Sequence, residues 1–416
     1  MKILVVGSGG REHTLCWKLA QSSSVKKLYC APGNPGTAKV AENVAIDGND
    51  IGKLVHFAKT HDIDLVVVGP EDPLSIGLAD VLEKEGVIVF GPCREAARME
   101  SSKRFAKQIM EAAGVPFAKY KEFTTKTEAA DYCASLSTPI VIKANGLAAG
   151  KGVCVCLEES EVGKSLDFVY DELKSDLVLI EEYLEGVEAS YIIAANNNKI
   201  VPMASSHDYK RLLDGQMGPN TGGMGSVSPT SHLTAEQEAW VLDHIMKPVL
   251  AALNNRGIPF KGFLYAGLMI SPEGEISVVE FNVRMGDPEC QSIIRRMEGD
   301  LAALLYGLAT NSEVLPDIRW DDRTSVCIVA SAEGYPGSVA KGDEIVGIDE
   351  AEQLDDIVVF YAGAGVDEND RLLTNGGRVL SVTSLGKNLS EAKQAAFSGL
   401  ERVRFRGRHF RKDIGN

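Results

Sequence analysis

The stretch "VVGSGGREH", residues Val5–His13, lies near the beginning of the chain and joins an apolar run to a glycine-rich turn. Residues 3–6 predict a short buried strand, and the spacing of apolar residues over 12–19 predicts a helix. Glycines at such a junction allow a sharp turn and bring backbone N–H groups of the helix N-terminus close to an anion. The stretch therefore predicts the first βα unit of a parallel α/β sheet, with an anion site at the turn.

The same turn is similar to the glycine fingerprint of dinucleotide-binding proteins, but two features argue against NAD. Glu12 replaces the third glycine, which that fingerprint needs for close packing of helix against strand. The next predicted strand, "KKLYCAP" at 26–32, ends without the acidic residue that would bind a ribose. We favour a phosphate-bearing substrate at this turn, and a purely structural turn is the alternative.

Composition limits the classes of function. The 416 residues carry 58 acidic against 43 basic side chains, a formal net charge of −15. This balance argues against nucleic acid as a partner, because a nucleic-acid surface has a basic footprint. No run approaches the roughly 18 apolar residues of a membrane helix. The eight cysteines show neither zinc-ligand spacing nor a disulfide framework. We expect a cytoplasmic protein of several domains that binds no membrane.

The pattern of strands and helices changes along the chain. Over residues 1–100, short apolar strands alternate with amphipathic helical segments, which predicts a parallel sheet covered by helices. Because ligands bind at the carboxyl ends of such strands, the loops at 31–38, 69–77 and 90–97 belong at one mouth with the glycine turn. The middle of the chain predicts antiparallel strands, and "EVLPDIRWDDRTS" at 313–325 predicts a linker. The basic segment at 402–416 predicts a solvated helix end.

A second glycine-rich loop follows the apolar strand at 138–144. Lys143 lies at the end of this strand, and the loop after it contains Gly146, Gly150, Lys151 and Gly152. A loop that lays backbone amides over phosphates, with a lysine beneath it, is typical of phosphoryl transfer. A Gly/Ala hairpin without that role is the alternative.

Oxygen ligands are spaced regularly in "SVVEFNVRMGDPE", residues 277–289. Glu280 and Asn282 are two residues apart on a predicted strand, so both point to one face of the sheet. Such a pair beside phosphates suits Mg²⁺, which prefers oxygen ligands. Arg284 follows on the same face and could bind a phosphate or a carboxylate.

Two further segments contain candidate ligand-binding groups. Glu181, Glu182 and Glu188 lie at or after the strand "LVLIEE", where they could accept hydrogen bonds from adenosine or form a solvated acidic edge. The segment at 205–229 is long, polar and glycine-rich, and loops of this length in compact proteins are usually functional or disordered. Its two methionines favour an ordered loop.

Together these stretches resemble the ATP-grasp ligases, and within them the phosphoribosylamine–glycine ligase (glycinamide ribonucleotide synthetase) family of purine biosynthesis. The resemblance runs through "GSGGREH", "APGNPGTA", "GPEDPLSIGLAD", "KANGLAAGKGV", "DYKRLLDG", "GPNTGGMG", "EFNVRMGDPE" and "FRKDIG". It implies an α/β fold (α+β overall) with a Rossmann-like parallel domain at 1–100. A two-lobed ATP-grasp region would span 101–315, with a mobile lobe at about 120–190, and a small mixed domain would span 320–416.

The resemblance implies ATP-dependent ligation of glycine to 5-phospho-β-D-ribosylamine, giving glycinamide ribonucleotide, ADP and phosphate. Glycine would first be phosphorylated, because a free carboxylate is a poor electrophile, and the sugar amine would then attack glycyl phosphate. No protein nucleophile is required, since positioning and charge neutralisation supply the catalysis. The implied cofactors are ATP as co-substrate and Mg²⁺ or Mn²⁺. The implied partners are the two small substrates, and we expect a monomer.

Carried over to this chain, the family's site residues are as follows. Lys143 and Arg284 would be catalytic, and Glu280 and Asn282 would bind the metal. The ATP contacts would be Lys103, Lys143, Gly146, Gly150, Lys151, Glu181, Glu182, Leu184 and Glu188. The acceptor substrates would contact Gly9, Gly10, Arg11, Glu12, Asn34, Pro35, Gly36, Thr37, Glu71, Asp72, Pro73, Asp208, Lys210, Gly222, Gly223, Met224, Arg284, Asp287, Pro288 and Glu289.

Two positions depart from the expected pattern. Many ATP-grasp enzymes have a second acidic metal ligand on the strand before Glu280, whereas "FLYAGLMI" at 263–270 contains no acid. Gln216 stands where the family often has Asp. Another ATP-grasp carboxylate–amine ligase of purine biosynthesis is one alternative function. A non-catalytic nucleotide-binding protein is the other, and the presence of Lys143, Glu280, Asn282 and Arg284 argues against it.

Overall fold

The structure is a computed structural model that describes residues 1–148 and 152–416. Gly150 and Lys151, which the sequence assigns to the phosphate loop, lie outside the described residues. Within the described ranges, no helix is both long and apolar enough to cross a membrane.

The amino-terminal part is a parallel sheet covered by helices on both faces. Leu4 and Val6 of the first strand pack into one hydrophobic cluster, and Ile3 and Val5 pack into another. Strands buried on both faces are expected of a parallel sheet, so the predicted class is confirmed. The strands are β1 (Lys2–Gly7), β2 (Lys27–Pro32), β3 (Glu42–Asn43), β4 (Leu65–Val68) and β5 (Val89–Phe90), in the order β3-β2-β1-β4-β5. The helices are α1 (Gly10–Leu19), α2 (Ile51–Thr60), α3 (Glu71–Ser75), α4 (Leu78–Lys84) and α5 (Arg94–Ser101).

A small antiparallel lobe follows and has a hydrophobic core of its own. Ile142, Ile180 and Val169 are fully or almost fully buried in this core. The glycine-rich loop predicted to bind phosphates follows the strand Ile140–Ala144 of this lobe. The elements are α6 (Lys103–Ala113), β6 (Tyr120–Phe123), α7 (Lys126–Ala134), β7 (Ile140–Ala144), β8 (Val153–Cys156), α8 (Glu159–Asp167) and β9 (Val178–Glu182), with sheet order β6-β9-β7-β8.

A larger lobe contains the second antiparallel sheet of the predicted ATP-grasp region. The Asn-rich stretch forms the predicted hairpin turn, with Asn197 at φ +50°. The strands are β10 (Val187–Asn196), β11 (Lys199–Pro202), β12 (His207–Asp208), β13 (Arg211–Leu213), β14 (Met217–Asn220), β15 (Gly225–Ser228), β16 (Lys261–Ile270) and β17 (Ile276–Asn282). The helices are α9 (Ala235–Val241), α10 (Lys247–Asn255), α11 (Glu289–Arg295) and α12 (Leu301–Ala309), and the sheet order is β11-β10-β16-β17.

The carboxyl-terminal sheet includes strands from the middle of the chain. Its order is β12-β15-β20-β24-β21, where β20 is Thr324–Ser331, β21 is Ile357–Tyr361 and β24 is Arg378–Gly386. Strand β12 pairs with β15, and β15 pairs with β20, which follows residue 320. The predicted linker at 313–325 is partly wrong, because Arg319–Trp320 within it forms a strand that pairs with Met297–Glu298. The remaining elements are β18 (Met297–Glu298), β19 (Arg319–Trp320), β20 (Thr324–Ser331), α13 (Ile348–Glu352), β21 (Ile357–Tyr361), β22 (Ala364–Val366), β23 (Leu372–Thr374), β24 (Arg378–Gly386) and α14 (Leu389–Arg402).

The prediction of a solvated helix end for the basic segment at 402–416 is partly wrong: Arg402, Arg404, Arg406 and Lys412 are exposed, but only Arg402 belongs to a helix and Arg411 is buried. Helix α14 ends at Arg402, and the chain then runs back across the carboxyl-terminal domain. His409 bridges to Ser331, and the side chain of Arg411 is completely buried. A run of basic residues indicates solvent exposure only where the fold offers no partners, and here Asp413 and the backbone carbonyl of Arg211 bind Arg411.

Candidate active site

A cavity of about 1160 Å³ lies where the amino-terminal sheet, the two lobes and the carboxyl-terminal sheet meet. It combines residues that are far apart in the chain, from the first helix to β24. The cavity therefore collects most of the side chains that the sequence predicted to bind ATP, metal or acceptor. These are Arg11, Glu71, Lys103, Lys143, Gly146, Glu181, Glu182, Leu184, Glu188, Asp208, Lys210, Gly222, Glu280, Asn282, Arg284, Asp287 and Glu289.

A second group of predicted substrate residues does not line this cavity. Several of them instead form the turns that support its wall, as Glu12 and Asn34 show below. The group comprises Gly9, Gly10, Glu12, Asn34, Pro35, Gly36, Thr37, Asp72, Pro73, Gly223, Met224 and Pro288.

The Glu12 carboxylate fills the space under the glycine turn. It accepts hydrogen bonds from the backbone N–H of Gly9, at 2.6 Å, and from Nε of Arg11, at 2.5 Å. A Cβ atom placed on Gly7 or Gly69 would lie 2.6 or 2.1 Å from the Glu12 side chain, so both positions require glycine. The helix N-terminus is thus capped by a carboxylate of the chain itself, which disfavours the expected anion at the Gly9 amide.

Asn34 and His13 contact the backbone of Tyr361 in β21. Nδ2 of Asn34 donates to the carbonyl groups of Ser8 and Tyr361, at 2.8 and 2.9 Å. Nδ1 of His13 accepts from the N–H of Tyr361 at 2.9 Å. Burial, together with the charge of Lys39, lowers the pKa of His13 to about 3, so the ring is neutral and can accept this hydrogen bond. The "NPGT" loop and His13 thereby join the amino-terminal domain to the carboxyl-terminal domain.

Arg284 is held between two carboxylates. Its Nε lies 3.2 Å from Glu71, and its Nη2 lies 2.7 Å from Glu100, whose other oxygen accepts from the N–H of Val283. Burial raises the pKa of Glu71, but Arg284 and Arg11 more than offset this and lower it to about 2. Burial raises the pKa of Glu100 to about 7, against the effect of Arg284. Glu71 is therefore the permanent counter-ion, and Glu100 titrates near neutral pH.

Lys143 and Glu181 form a buried ionic group with Lys107. Nζ of Lys143 lies 2.8 Å from one Glu181 oxygen, and Nζ of Lys107 lies 3.1 Å from the other. Lys143 also donates to the carbonyl of Val279, at 3.1 Å, and so reaches the strand that contains Glu280. This arrangement directs the Glu181 carboxylate toward lysines, whereas the sequence assigned it to adenosine. Nearby, Lys103 donates to the carbonyl of Gly146 at 3.1 Å.

Glu280 and Asn282 both line the cavity from β17, and Phe281 between them, which also borders the cavity, is buried in the hydrophobic core. Burial raises the pKa of Glu280, but the surrounding cations, Lys210 foremost, more than offset this, and the pKa lies below its ordinary value. Among the described residues, none forms a hydrogen bond or ion pair with the Glu280 carboxylate. The described residues contain no group of three or more His, Cys, Asp or Glu side chains placed to hold a metal. An ionised carboxylate and an amide oxygen fit Mg²⁺ only where substrate phosphates complete its coordination.

Three family models together match almost the whole chain. They are the N domain, the ATP-grasp (A) domain and the C domain of phosphoribosylglycinamide synthetase, at residues 1–100, 101–290 and 325–416. The chain belongs to the phosphoribosylglycinamide synthetase family. This membership confirms the family resemblance seen in the sequence and removes NAD as an explanation of the glycine turn.

Comparisons with individual proteins also place the chain in this synthetase family. The chain is 44% identical to a phosphoribosylamine–glycine ligase from Synechocystis sp., over 100% of this chain and 99% of that protein. A crystal structure of a phosphoribosylamine–glycine ligase from Thermotoga maritima superimposes with a TM-score of 0.83 at 30% identity, over 100% of both chains. The biotin carboxylase domain of a Hydrogenobacter thermophilus 2-oxoglutarate carboxylase, solved with MgADP, shares the fold at TM-score 0.73 and 15% identity, over 98% of this chain and 91% of that one.

The synthetase fold also brings residues into the cavity that the sequence did not single out. Arg378, at the start of β24, donates to the carbonyl of Gly222 at 2.7 Å and lies 3.3 Å from the Asp287 carboxylate. The Tyr335 hydroxyl accepts from the N–H of Gly222 at 3.0 Å. Their sequence surroundings contain only ordinary turn residues, so their role depends on the docking of the carboxyl-terminal domain. Glu100 and Lys107 were missed because each is one of several charged residues in an amphipathic helix, and no local pattern distinguishes them from their neighbours.

Proposed function

We propose that this chain ligates glycine to 5-phospho-β-D-ribosylamine, the ligation that the names of its relatives indicate, with conversion of ATP to ADP and phosphate. The observation that carries the proposal is the cavity in which Lys143, Glu280 and Arg284 face one another. Acyl-phosphate chemistry needs cations that neutralise the phosphates, a pair of oxygen ligands for a metal and an arginine that binds a carboxylate.

ATP would lie between the two lobes. Lys103 and Lys143 would neutralise the phosphates, and the backbone of Glu182 and Leu184 would bind adenine. Glu188 pairs with Lys210 at 2.7 Å, which places it where it could also receive a ribose hydroxyl. Within this arrangement Glu181 fixes Lys143, and we assign it that role in place of a direct adenosine contact.

The reaction would proceed in two steps. A glycine carboxylate oxygen forms a bond to the γ-phosphorus while the bond to ADP breaks. The amine nitrogen of the sugar then attacks the acyl carbon and forms the amide bond, the bond from that carbon to the bridging phosphate oxygen breaks, and the N–H proton leaves with inorganic phosphate. Arg284 would hold the glycine carboxylate and the transferred phosphoryl group, and the closed cavity would exclude the water that hydrolyses the acyl phosphate.

Glu280 and Asn282 would hold Mg²⁺ or Mn²⁺ against the phosphates. The bound metal supplies charge neutralisation on the phosphoryl oxygens. What the chain itself contributes is an ionised Glu280 inside a ring of cations and an Asn282 whose oxygen is oriented by Arg284, at 3.3 Å.

Other expectations of the proposal are the domain limits at 1–100, 101–315 and 320–416, with a mobile lobe at about 120–190, a monomeric state and a cytoplasmic location. The eight cysteines of the described chain are free, which supports a reducing compartment.

A substrate-omission assay tests the function. ADP release is followed with ribosylamine 5-phosphate generated in place, and each of ATP, glycine and sugar amine is omitted in turn. We expect ADP only in the complete mixture and a product with the mass of glycinamide ribonucleotide. Lys143→Met is the inactive control. ADP release with formate or bicarbonate in place of glycine, and none with glycine, would contradict the proposal and favour another ATP-grasp ligase.

A further inference from the structure

The segment "FRKDIG", residues 410–415, packs against the hairpin formed by β13 and β14, residues 211–220. The proposed mechanism gives neither of these segments a role. The hairpin is a two-stranded ribbon whose apolar side chains are largely in solvent, with Met217 62% and Leu213 40% exposed. A two-stranded ribbon of this kind is marginally stable in water without other support.

Arg411 is the centre of the contact. Its guanidinium group is completely buried, forms two hydrogen bonds of 2.7 Å to Asp413, and lies 5.1 Å from the centre of the Tyr209 ring. One nitrogen donates to the carbonyl of Arg211, at 3.0 Å, and to Oε1 of Gln216, at 3.2 Å. Arg411 thus binds the first strand of the hairpin and its turn at the same time.

The turn of the hairpin is held by further hydrogen bonds. The N–H of Gly215 donates to Asp413 at 2.8 Å, and the N–H of Lys412 donates to Asp214 at 2.7 Å. A hydrogen bond of 2.9 Å joins Nε2 of His409 to the carbonyl of Leu212. Asp214, Gly215 and Gln216 of the turn are therefore each bound to this segment, through a side-chain oxygen or a backbone N–H.

The flanks of the hairpin are fixed by the end of the same segment. The N–H of Gly415 donates to the Tyr209 hydroxyl at 2.9 Å. Ile414 is fully buried, and a Cβ atom on Gly225 would lie 2.9 Å from its side chain, so these two positions are closely packed. The segment from 209 to 225 is consequently held at both ends and in the middle.

The hairpin is a wall of the active-site cavity. Gln216 and Asn220 line the cavity, as do Thr221 and Gly222 directly after the hairpin. Nδ2 of Asn220 donates to the carbonyl of Val153 at 3.4 Å, next to the glycine-rich loop. A shift of the hairpin would therefore change the acceptor end of the cavity and the edge of that loop together.

We propose that the "FRKDIG" segment positions the 211–220 hairpin for binding of the sugar-phosphate substrate and product, with Arg411 as the positioning residue. This inference rests on the proposed function. Arg411 touches no substrate in this arrangement and acts through the carbonyl of Arg211 and the side chain of Gln216. Because Gln216 receives one of its hydrogen bonds, the position where the family often has Asp is part of the same contact.

Arg411→Met tests the proposal, with Arg408→Met as the matched control. Arg408 lies in the same basic segment but donates to the carbonyls of Leu400 and Val403, at the end of α14. Binding of glycinamide ribonucleotide in the presence of MgADP is measured by calorimetry, and KM and kcat are measured for the sugar amine. We expect Arg411→Met to weaken binding and raise KM about tenfold while kcat changes little, as displaced contacts predict. Arg408→Met should keep wild-type KM.

Hydrogen exchange provides the second readout. In Arg411→Met the amides of 211–220 should exchange faster while those of β20 and β24 keep their protection, and Arg411→Lys should be intermediate. Asp214→Ala, an exposed substitution that removes the acceptor for the N–H of Lys412 and so loosens the segment from the hairpin side, should raise KM in the same direction even where Arg411→Met folds poorly. Unchanged KM and exchange in Asp214→Ala and Arg411→Met would overturn the inference. A wild-type protein without ligase activity would instead overturn the proposed function.

Discussion

Replacing Glu100 with Gln should make the protein more stable and less active at alkaline pH. Glu100 is 7% exposed and shares Arg284 with Glu71. Its pKa is raised by burial to about 7, so the ionised form that prevails at higher pH is held in the fold at a cost in free energy. The substitution removes that charge and keeps the shape of the side chain.

The magnitude follows from the pKa. Raising it from 4.5 to about 7 corresponds to about 3 kcal/mol of stability that the wild-type protein loses as the pH rises through this window. Gln has one acceptor oxygen for the two donors that Glu100 binds, from Arg284 and Val283, which costs about 1 kcal/mol. Above pH 7 we therefore expect the free energy of unfolding of Glu100→Gln to exceed that of the wild type by about 2 kcal/mol. At a pH near the ordinary pKa of Glu this gain should vanish.

Glu71→Gln is the matched comparison, because this carboxylate binds the same arginine with the opposite pKa shift. Its pKa is lowered from 4.5 to about 2, so its contribution of about 3 kcal/mol is present above pH 4.5 and is lost as the pH falls toward 2. Glu71→Gln should therefore be destabilised at neutral pH.

Urea unfolding at several pH values, together with kcat/KM, checks both variants. Both should lose activity, by about tenfold for Glu100→Gln, because Arg284 is less well oriented. A Glu100→Gln protein that is less stable than wild type at alkaline pH, with Glu71→Gln unaffected, would refute this division of roles between the two carboxylates.

Two further predictions concern the metal pair and the domain contact. Glu280→Gln should lower kcat on the order of 10²-fold and raise the Mg²⁺ requirement, because one charge is lost beside the phosphates. Its melting temperature in EDTA should stay near that of wild type; unfolding with normal specific activity would show a purely structural carboxylate. Asn34→Ala removes the donor to Ser8 and Tyr361 and should destabilise the fold by roughly 1–3 kcal/mol in urea titrations. Its KM values should stay near normal, and a large KM increase without loss of stability would restore Asn34 to the substrate site.

Most of the predictions that the structure supports came from local sequence patterns. The alternation of apolar strands and amphipathic helices over 1–100 depends on nearest neighbours along the chain, and the parallel sheet has the strands expected from it. Glu280 and Asn282 could be placed on one face because the two-residue period of a strand fixes their direction. Both side chains line the cavity, whereas their role as metal ligands stays a prediction.

Contacts between distant segments could not be predicted in this way. Glu100 is one acid in an ordinary helix, and it becomes a partner of Arg284 only when α5 packs beside the end of β17. The same applies to β12 and β15, which join a sheet whose other strands lie more than ninety residues later. In the basic segment at 402–416, the sequence predicted that Arg411 is exposed to solvent. That prediction failed because Arg411 binds Asp413 and the distant hairpin, and the hairpin contact cannot be read from the local sequence.

The glycine turn shows how one local shape can serve two kinds of site. In a dinucleotide fingerprint the third glycine leaves room for close packing of helix and strand, and the helix N-terminus binds a pyrophosphate. Here the Glu12 side chain takes that space, and its carboxylate binds the amide of Gly9. The positive end of the helix dipole is thereby neutralised by a carboxylate of the same helix. Glu12 also accepts a hydrogen bond from Arg11, whose guanidinium lies 3.8 Å from Glu71. Glu12, Arg11, Glu71 and Arg284 thus form a series of ion pairs that leads from the glycine turn to the edge of the cavity.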